Sequence, residues 1–509
     1  MPLRVIEVVD LRRAVGQVGR MLKHFLPLAL LLAAPAHAEA PPPSQQQAVE
    51  AALAKAPGGT RFGLLVVDDA GKVVVAINPD QRFIPASNTK MFTTAAAYAL
   101  LPGMDQPDEA GGARVQLRPG KAKGAPDVWL IGRGDARISA APDCKIDCLA
   151  TLADAVAART RVVGNVVGDD SHYPDQRWSP GMSWNNLGSN DATAASALTL
   201  DSNELTVRAV PGAPGAPPQV AVPPYITLVN QAVTTPPGGK TRLVLEHTVN
   251  SRSFRLYGEL PADAGEWRER IGIDDPADFA AWTFAGMLRA RGVRVTGSAG
   301  PMHRPVTAMD DPEWRKDRPQ VAVKVREYPV AAALTAPALA EDVAIINKDS
   351  QNHHAEMLLR RIARQGGGTG SLEDGLAAER ALFEKAGIPR AGYDFSDGSG
   401  MSTYNRVSPR AGVALLRWID GQPWGRAWYA SLPIAGVDGT LKRRFAGTPL
   451  AGNLTAKTGT LNATNALSGT FRAASGKRLT FSFFANDVPN GESALPAMEA
   501  VLLAIHAAN

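Results

Sequence analysis

Ser87 and Lys90 form the only Ser-x-x-Lys pattern in the chain. The apolar run from Met91 to Leu101 predicts a buried, alanine-rich helix that begins at this pattern. Positions i and i+3 share a helical face, so the amine of Lys90 would reach the hydroxyl of Ser87. A serine hydroxyl becomes a good nucleophile when a neighbouring base takes its proton, and a lysine can serve if its pKa is lowered. The pattern predicts a serine nucleophile with a lysine base; the alternative is an N-capping serine beside a solvated lysine.

A second pattern, Ser-x-Asn, occurs twice. Ser183 and Asn185 lie in a loop region rich in proline and glycine, so we assign them a structural role. Ser350 and Asn352 lie between two helical segments, where they could form the second wall of a cleft. There Ser350 could pass a proton between Lys90 and a leaving amine, while Asn352 holds Lys90 or a substrate amide. The alternative for Ser350 is a helix cap.

A third pattern, Lys457-Thr458-Gly459, continues into Thr460 and Leu461 on a predicted edge strand. Gly459 has no side chain, so an extended peptide could approach this strand closely. Lys457 and Thr458 could bind the terminal carboxylate of that peptide. The alternative is a surface strand with a glycine bulge.

The three patterns together predict one acyl-transfer site. The backbone N–H groups of Ser87 and Thr460 would stabilise an oxyanion. The ammonium of Lys457 would lower the pKa of Lys90 by charge repulsion, which would make Lys90 a better base. A nucleophile, a base, a proton relay and oxyanion donors are then present, and we expect no metal and no cofactor.

The N-terminus predicts export. The apolar run 25–34, followed by a small-x-small pattern that ends at Ala38, predicts a signal peptide over residues 1–38. The run is too short to span a bilayer as a helix. Acidic residues within 1–20 are unusual before such a run, which favours a translation start at Met21. The alternative is a short cytosolic tail on an uncleaved anchor.

Composition and charge exclude some classes of function. The chain has 509 residues, 45% hydrophobic and 20% charged, as in folded soluble domains. Residues 1–38 carry five basic and two acidic residues, so their removal lowers the formal charge from +5 to +2. That charge gives no basis for nucleic-acid binding. We expect the mature protein in an extracytoplasmic space with at most peripheral membrane contact.

Cys144 and Cys148 are the only cysteines. Export to an oxidising compartment favours a disulfide between them. A free pair of thiols is the next alternative. A metal site comes last, because Asp143 and Asp147 alone are weak additional ligands.

The pattern of strands and helices predicts an α+β fold. Strand-rich segments at both chain ends predict one antiparallel sheet that is flanked by helices, with the middle of the chain inserted. Helical character returns over 330–350. The predicted division is a signal peptide 1–38, catalytic core 39–101 and 331–509, an inserted domain 102–190 and 301–330, and a second, β-rich inserted domain 191–300.

The three patterns resemble those of the serine penicillin-recognising enzymes. More closely, the chain resembles the DacB-type D-alanyl-D-alanine carboxypeptidases/endopeptidases, the class C low-molecular-mass penicillin-binding proteins. The resemblance includes NKDSQN at 347–352, DGSGMS at 397–402 and LPIAGVDGT at 432–440. It also includes the roughly 260 residues between Lys90 and Ser350, where that group places two extra domains.

This resemblance implies a β-lactamase/transpeptidase-like core and a periplasmic enzyme that acts on peptidoglycan stem peptides. It implies acylation of Ser87 by the penultimate D-Ala, release of the terminal D-Ala and hydrolysis, with β-lactam antibiotics as inhibitors. Cleavage of D-Ala–diaminopimelate cross-links would use the same chemistry. Asp169 matches an acidic residue with which relatives hold the free end of diaminopimelate, and Leu461 is its apolar counterpart. Asp170 could replace Asp169, and a turn role is the alternative.

Two rival functions follow from the same patterns. A β-lactamase would need fast deacylation, but the chain has no Glu-x-x-Leu-Asn segment to position a water as class A enzymes do. A non-catalytic, wall-binding scaffold protein would have no need to keep Ser87, Lys90 and the other three catalytic candidates intact. The sequence therefore favours the carboxypeptidase.

Overall fold

The computed structural model describes residues 45–120, 124–318 and 326–509. The predicted signal peptide, its cleavage site and the start at Met21 lie outside these residues. None of the helices in the described ranges has both the length and the apolar character that a membrane span requires.

Eleven α-helices form within the described ranges. In chain order, α1 to α11 are Gln45–Leu53, Thr89–Leu100, Leu149–Ala157, Pro276–Ala290, Pro312–Arg315, Leu339–Lys348, Asn352–Ala363, Leu372–Lys385, Pro409–Asp420, Gly425–Ala430 and Leu495–Ala508.

Twenty β-strands form within the same ranges. In chain order, β1 to β20 are Arg61–Asp68, Val73–Ile77, Arg114–Arg118, Asp127–Ile131, Val162–Val163, Val166–Pro174, Glu204–Val210, Gln219–Ala221, Thr227–Thr235, Arg242–His247, Ser253–Pro261, Trp267–Gly272, Arg294–Val295, Ala299–Arg304, Val330–Ala333, Tyr393–Asp394, Arg406–Val407, Thr455–Leu461, Thr464–Arg472 and Arg478–Asn486.

The catalytic sheet combines both ends of the chain. Its order is β18-β19-β20-β1-β2, and all of its pairs are antiparallel. Successive side chains of a strand point to opposite faces, and both faces of β20 are buried. Phe483 packs with α1 and α11 on one face, while Phe484 packs with α2 and α9 on the other. The sheet predicted from both chain ends is confirmed, and β18 is its edge strand.

The intervening chain builds separate sheets over a core of its own. A five-stranded sheet has the order β14-β6-β4-β3-β15, and two three-stranded sheets, β12-β7-β8 and β10-β11-β9, come from residues 204–272. The three-domain division stays a prediction. The helical prediction for 330–350 is wrong at its start, because Val330–Ala333 pair with β3 and Pro337 precedes α6. Cys144 and Cys148 form the predicted disulfide.

A short 3-10 turn, Ala86–Asn88, introduces α2 and carries Ser87. The side chain of Asn486, at the end of β20, holds the preceding segment: its amide accepts from the N–H of Ile84 at 2.7 Å and donates to the carbonyl of Ile84 at 3.1 Å. The turn is therefore fixed to the end of a central strand, as the predicted role of Ser87 would require.

Candidate active site

Lys90 donates a hydrogen bond to Ser87 across one turn of chain. The ammonium nitrogen of Lys90 lies 2.9 Å from the hydroxyl oxygen of Ser87. The same nitrogen donates to the side-chain oxygen of Asn352 at 2.6 Å and to the carbonyl oxygen of Ser399 at 2.5 Å. These contacts come from three distant parts of the sequence. They fix the amine within proton-transfer distance of the hydroxyl.

The surroundings of Lys90 favour its neutral form. Its side chain is fully buried, and burial lowers the pKa of Lys90 from 10.5 to about 8. The carboxylates of Asp397 and Glu356 oppose this shift, as does Asp191. A lysine with a pKa near 8 is partly unprotonated at neutral pH and can accept the proton of Ser87.

Two buried carboxylates build the loop that contacts Lys90. Glu356 accepts from the N–H groups of Gly398 and Ser399, both at 3.0 Å. Asp397 accepts from the N–H of Gly400 at 2.8 Å. The carbonyl of Ser399 is thereby aimed at the amine of Lys90. The sequence gives these residues no predictable role, because loop geometry of this kind has no periodic signal.

Ser350 and Lys457 form a second polar pair beside the first. The ammonium nitrogen of Lys457 lies 3.0 Å from the hydroxyl oxygen of Ser350. Lys457 is fully buried, and burial together with repulsion from Lys90 lowers its pKa well below the usual value. Burial is the main cause of the shift at Lys90, in place of the predicted repulsion from Lys457. Ser350 adopts a φ of 62°, a strained conformation for a serine, and such strain is common at functional sites.

Asn352 connects the catalytic core to the chain between Lys90 and Ser350, which we call the inserted region. While its side-chain oxygen accepts from Lys90, its side-chain nitrogen donates to the carbonyl of Asp191 at 2.9 Å. Asp191 was missed by the sequence analysis. It follows Ser183 and Asn185 closely in the sequence, in the loop region to which we assigned a structural role. Neither Ser183 nor Asn185 lines the cleft.

Gly459 is required for packing within the chain. A β-carbon on Gly459 would lie 2.7 Å from the carbonyl oxygen of Pro85 and 3.2 Å from the amide nitrogen of Asn88. The same amide of Asn88 donates to the carbonyl of Lys457 at 3.0 Å. The absence of a side chain on Gly459 therefore leaves space for the turn that carries Ser87. The sequence predicted instead that this space would admit a substrate peptide.

A cleft of about 570 Å³ opens over these residues. The predicted residues that line it are Ser87, Ser350, Asn352, Thr458, Thr460 and Leu461. The hydroxyl oxygens of Thr440 and Thr458 lie 2.7 Å apart on its wall, and Arg444 also lines it. Lys457 lies behind this wall and is not a lining residue. A substrate carboxylate would therefore meet the threonine hydroxyls, with the charge of Lys457 behind them.

The structure does not bring Asp169 to the cleft. Asp169 is buried in β6, where its carboxylate accepts from the N–H of Ser171 at 3.0 Å. Its possible substitute, Asp170, accepts from Ser196 at 2.8 Å and lies 3.0 Å from His303. The acidic residue that the inserted region contributes to the cleft is Asp191.

A serine hydroxyl that contacts a buried lysine amine, on an antiparallel sheet from both chain ends, is the arrangement expected of the class of serine–lysine acyltransferases. The sequence profile of the D-Ala-D-Ala carboxypeptidase 3 (S13) family matches residues 45–508. The chain belongs to this family, and it is a serine-type D-Ala-D-Ala carboxypeptidase.

Similar proteins agree with this assignment. The chain is 32% identical over 498 residues to a D-alanyl-D-alanine carboxypeptidase from an Actinomadura species; the alignment covers 94% of this chain and 88% of that protein. It is 24% identical over 455 residues to D-alanyl-D-alanine carboxypeptidase DacB of Haemophilus influenzae, covering 86% and 88% of the two chains.

Solved structures support the fold. The crystal structure of penicillin-binding protein 4 (dacB) from Haemophilus influenzae superimposes with a TM-score of 0.76 at 21% identity, over 89% of this chain and 97% of that chain. The complex of the same protein with a β-lactam gives a TM-score of 0.69. The predicted α+β, transpeptidase-like fold class is confirmed.

Proposed function

We propose that the chain hydrolyses the terminal D-Ala-D-Ala bond of peptidoglycan stem peptides through an acyl-Ser87 intermediate. The single observation that carries this proposal is the contact of 2.9 Å between the amine of Lys90 and the hydroxyl of Ser87, with the pKa of that amine lowered to about 8. Neutral Lys90 takes the proton of Ser87 while the hydroxyl oxygen attacks the carbonyl carbon of the penultimate D-Ala. The N–H groups of Ser87 and Thr460 stabilise the oxyanion.

Collapse of the tetrahedral intermediate breaks the peptide bond. The leaving nitrogen takes a proton from Ser350, and Ser350 receives in turn the proton that Lys90 removed from Ser87, so that Lys90 is neutral again. Lys457 donates to the hydroxyl of Ser350 at 3.0 Å and orients it. The terminal carboxylate lies against Thr440 and Thr458. A water molecule then attacks the acyl-enzyme, with Lys90 again as the base, and releases the shortened peptide and free Ser87.

The same chemistry extends to two further ligands. A D-Ala–diaminopimelate cross-link differs from D-Ala-D-Ala only in the leaving amine, so we propose DD-endopeptidase activity as well. A β-lactam carries an acylating carbonyl and a carboxylate in a similar arrangement, so it should acylate Ser87 and deacylate slowly. We place the mature enzyme in the periplasm, where its substrate lies.

Labelling with a fluorescent penicillin tests the proposal. We expect the parent protein to be labelled, Ser87→Ala to fold and lose labelling completely, and Lys90→Ala to fold and lose at least a hundredfold in acylation rate at neutral pH. Folding is checked by circular dichroism. Labelling of Ser87→Ala at the parental rate would show that Ser87 is not the nucleophile, and normal turnover by Lys90→Ala would show that another base operates.

The two rival functions give different outcomes in the same assay. Rapid loss of the label by hydrolysis would favour a β-lactamase. A folded parent protein that neither labels nor releases D-Ala would favour a non-catalytic scaffold.

A further inference from the structure

A second cleft lies behind the turn that carries Ser350. It has a volume of about 590 Å³, and it shares Asp191, Asp349 and Ser350 with the catalytic cleft. The two clefts therefore adjoin each other at these three residues. We call the second one the rear cleft.

The two clefts meet between two turns of the chain. On one side lies the turn with Asp349 and Ser350, and on the other side lies the short turn that begins at Asn190. The hydrogen bond from Asn352 to the carbonyl of Asp191 joins the two sides.

The geometry of catalysis fixes the direction in which a leaving group extends. The proposed proton donor to the leaving nitrogen is Ser350, so that nitrogen lies within hydrogen-bond reach of Ser350. Free D-Ala is small enough to stay in the catalytic cleft beside Thr440 and Thr458. A larger leaving group must continue past Ser350, and the rear cleft opens at that residue.

The chemistry of the rear cleft fits a polar peptide. Apart from Ala136 and Ile345, its lining side chains are polar or charged. Arg137 and Arg270 lie on its wall. Each pairs with a glutamate through one guanidinium nitrogen, and a guanidinium has five N–H donors with which it can also bind peptide carboxylates and carbonyls. An apolar ligand would gain little from such a surface.

The far wall is connected to the catalytic turn. The guanidinium of Arg270 lies 3.0 Å from one carboxylate oxygen of Glu204, and the other oxygen accepts from the side chain of Gln351 at 3.1 Å. Gln351 in turn caps α7 by accepting from the N–H of His353 at 3.0 Å. Strand β12 of the inserted region thus supports the residue next to Ser350.

We propose that the rear cleft binds the leaving-group half of a cross-linked stem-peptide dimer, the strand whose amine is released when the cross-link is cut. This proposal rests on the proposed function. It adds that the inserted region selects dimeric substrates through residues that do not take part in the chemistry.

The test compares substrates that share the acyl group and differ in the leaving group. Asn190→Trp fills the rear cleft at its entrance, and Arg270→Ala removes a guanidinium from its wall. Arg268→Ala is the matched control, because Arg268 lies two residues away on the same face of β12, has a side chain that is 60% exposed against 61% for Arg270, and does not line the cleft. The three readouts are cleavage of a purified cross-linked muropeptide dimer, D-Ala release from the monomeric pentapeptide, and the rate of penicillin acylation.

For both rear-cleft variants we expect kcat/KM for the dimer to fall at least tenfold, while D-Ala release and acylation stay within twofold of the parent. Arg268→Ala should match the parent in all three. Unchanged dimer cleavage would overturn the proposal. So would an equal fall in all three readouts, because the residues would then act only through the Ser350 turn, and so would a parent that releases D-Ala but cuts no dimer. A parent that penicillin does not acylate would instead refute the proposed function.

Discussion

The carbonyl oxygen of Ala86 occupies the space that a side chain on Gly400 would need. A β-carbon on Gly400 would lie 1.9 Å from that oxygen and 3.0 Å from the backbone nitrogen of Ser87. Gly400 also has a φ of 92°, which L-residues rarely adopt. The loop that contacts Lys90 is therefore packed directly against the turn that carries the nucleophile.

Gly400→Ala should displace Ser87 from the N–H of Thr460 and from Lys90. We expect the rate of penicillin acylation to fall at least tenfold, because small misplacements of reacting groups are costly. The measurement is stopped-flow or gel-based acylation with a fluorescent penicillin. Gly447→Ala is the control, since Gly447 has a φ of 73° and open space around it. If both variants lose acylation equally, backbone strain and not the contact with Ala86 is responsible.

The pH dependence of acylation should follow the protonation of Lys90. The neutral amine is the active form and its pKa is about 8. The acylation rate should therefore rise about tenfold per pH unit below pH 8 and level off above it. Asp191 raises the pKa of Lys90, so Asp191→Asn should lower that pKa and move the rising limb to lower pH.

The matched control for that shift is Asp69→Asn, in the exposed turn between β1 and β2. It should leave the pH profile of acylation unchanged. A shift to higher pH for Asp191→Asn, or no shift, would mean that the charge of Asp191 does not act on the base.

Glu379 should make the stability of the protein depend on pH. It is fully buried in α8, and burial raises its pKa from 4.5 to about 8. The folded state keeps the proton where the unfolded state has lost it, so stability falls as pH rises from about 4.5 through 8. One such group contributes a slope of about 1.4 kcal/mol per pH unit over that window. Glu379→Gln should remove this slope.

Urea unfolding at pH 5, 6.5 and 8 measures the slope of the parent and the variant. Glu384→Gln, on the exposed side of the same helix, should keep the parental slope. A Glu379→Gln protein with an unchanged slope would show that Glu379 is ionised in the folded state at neutral pH.

The sequence predicted the contacts among the candidate catalytic residues better than it predicted the residues that support them. Ser87 and Lys90 were predictable because a spacing of three residues on a helix determines their contact. The sheet from both chain ends was predictable from the short apolar, β-rich segments that precede Ser87 and that surround and follow Lys457. Both predictions depend on local patterns.

The residues that the sequence did not reveal act through long-range contacts. The carbonyl of Ser399 reaches Lys90 from a loop more than 300 positions away, and a backbone atom has no sequence signature. Asp191 acts through its position opposite Asn352, which only the packing of the inserted region determines. The role of Asp169 stays a prediction: its local motif fits, but β6 places it inside a sheet and away from the residues that line the cleft.

The sheet order also determines when the enzyme can become active. Strand β1 pairs with β20, and three of the five strands of the catalytic sheet come after residue 454. A nascent chain that has already exposed Ser87 has neither the complete sheet nor Lys457, so Ser87 should not become acylated before synthesis reaches β20. A fragment that ends before β18 should therefore be inert.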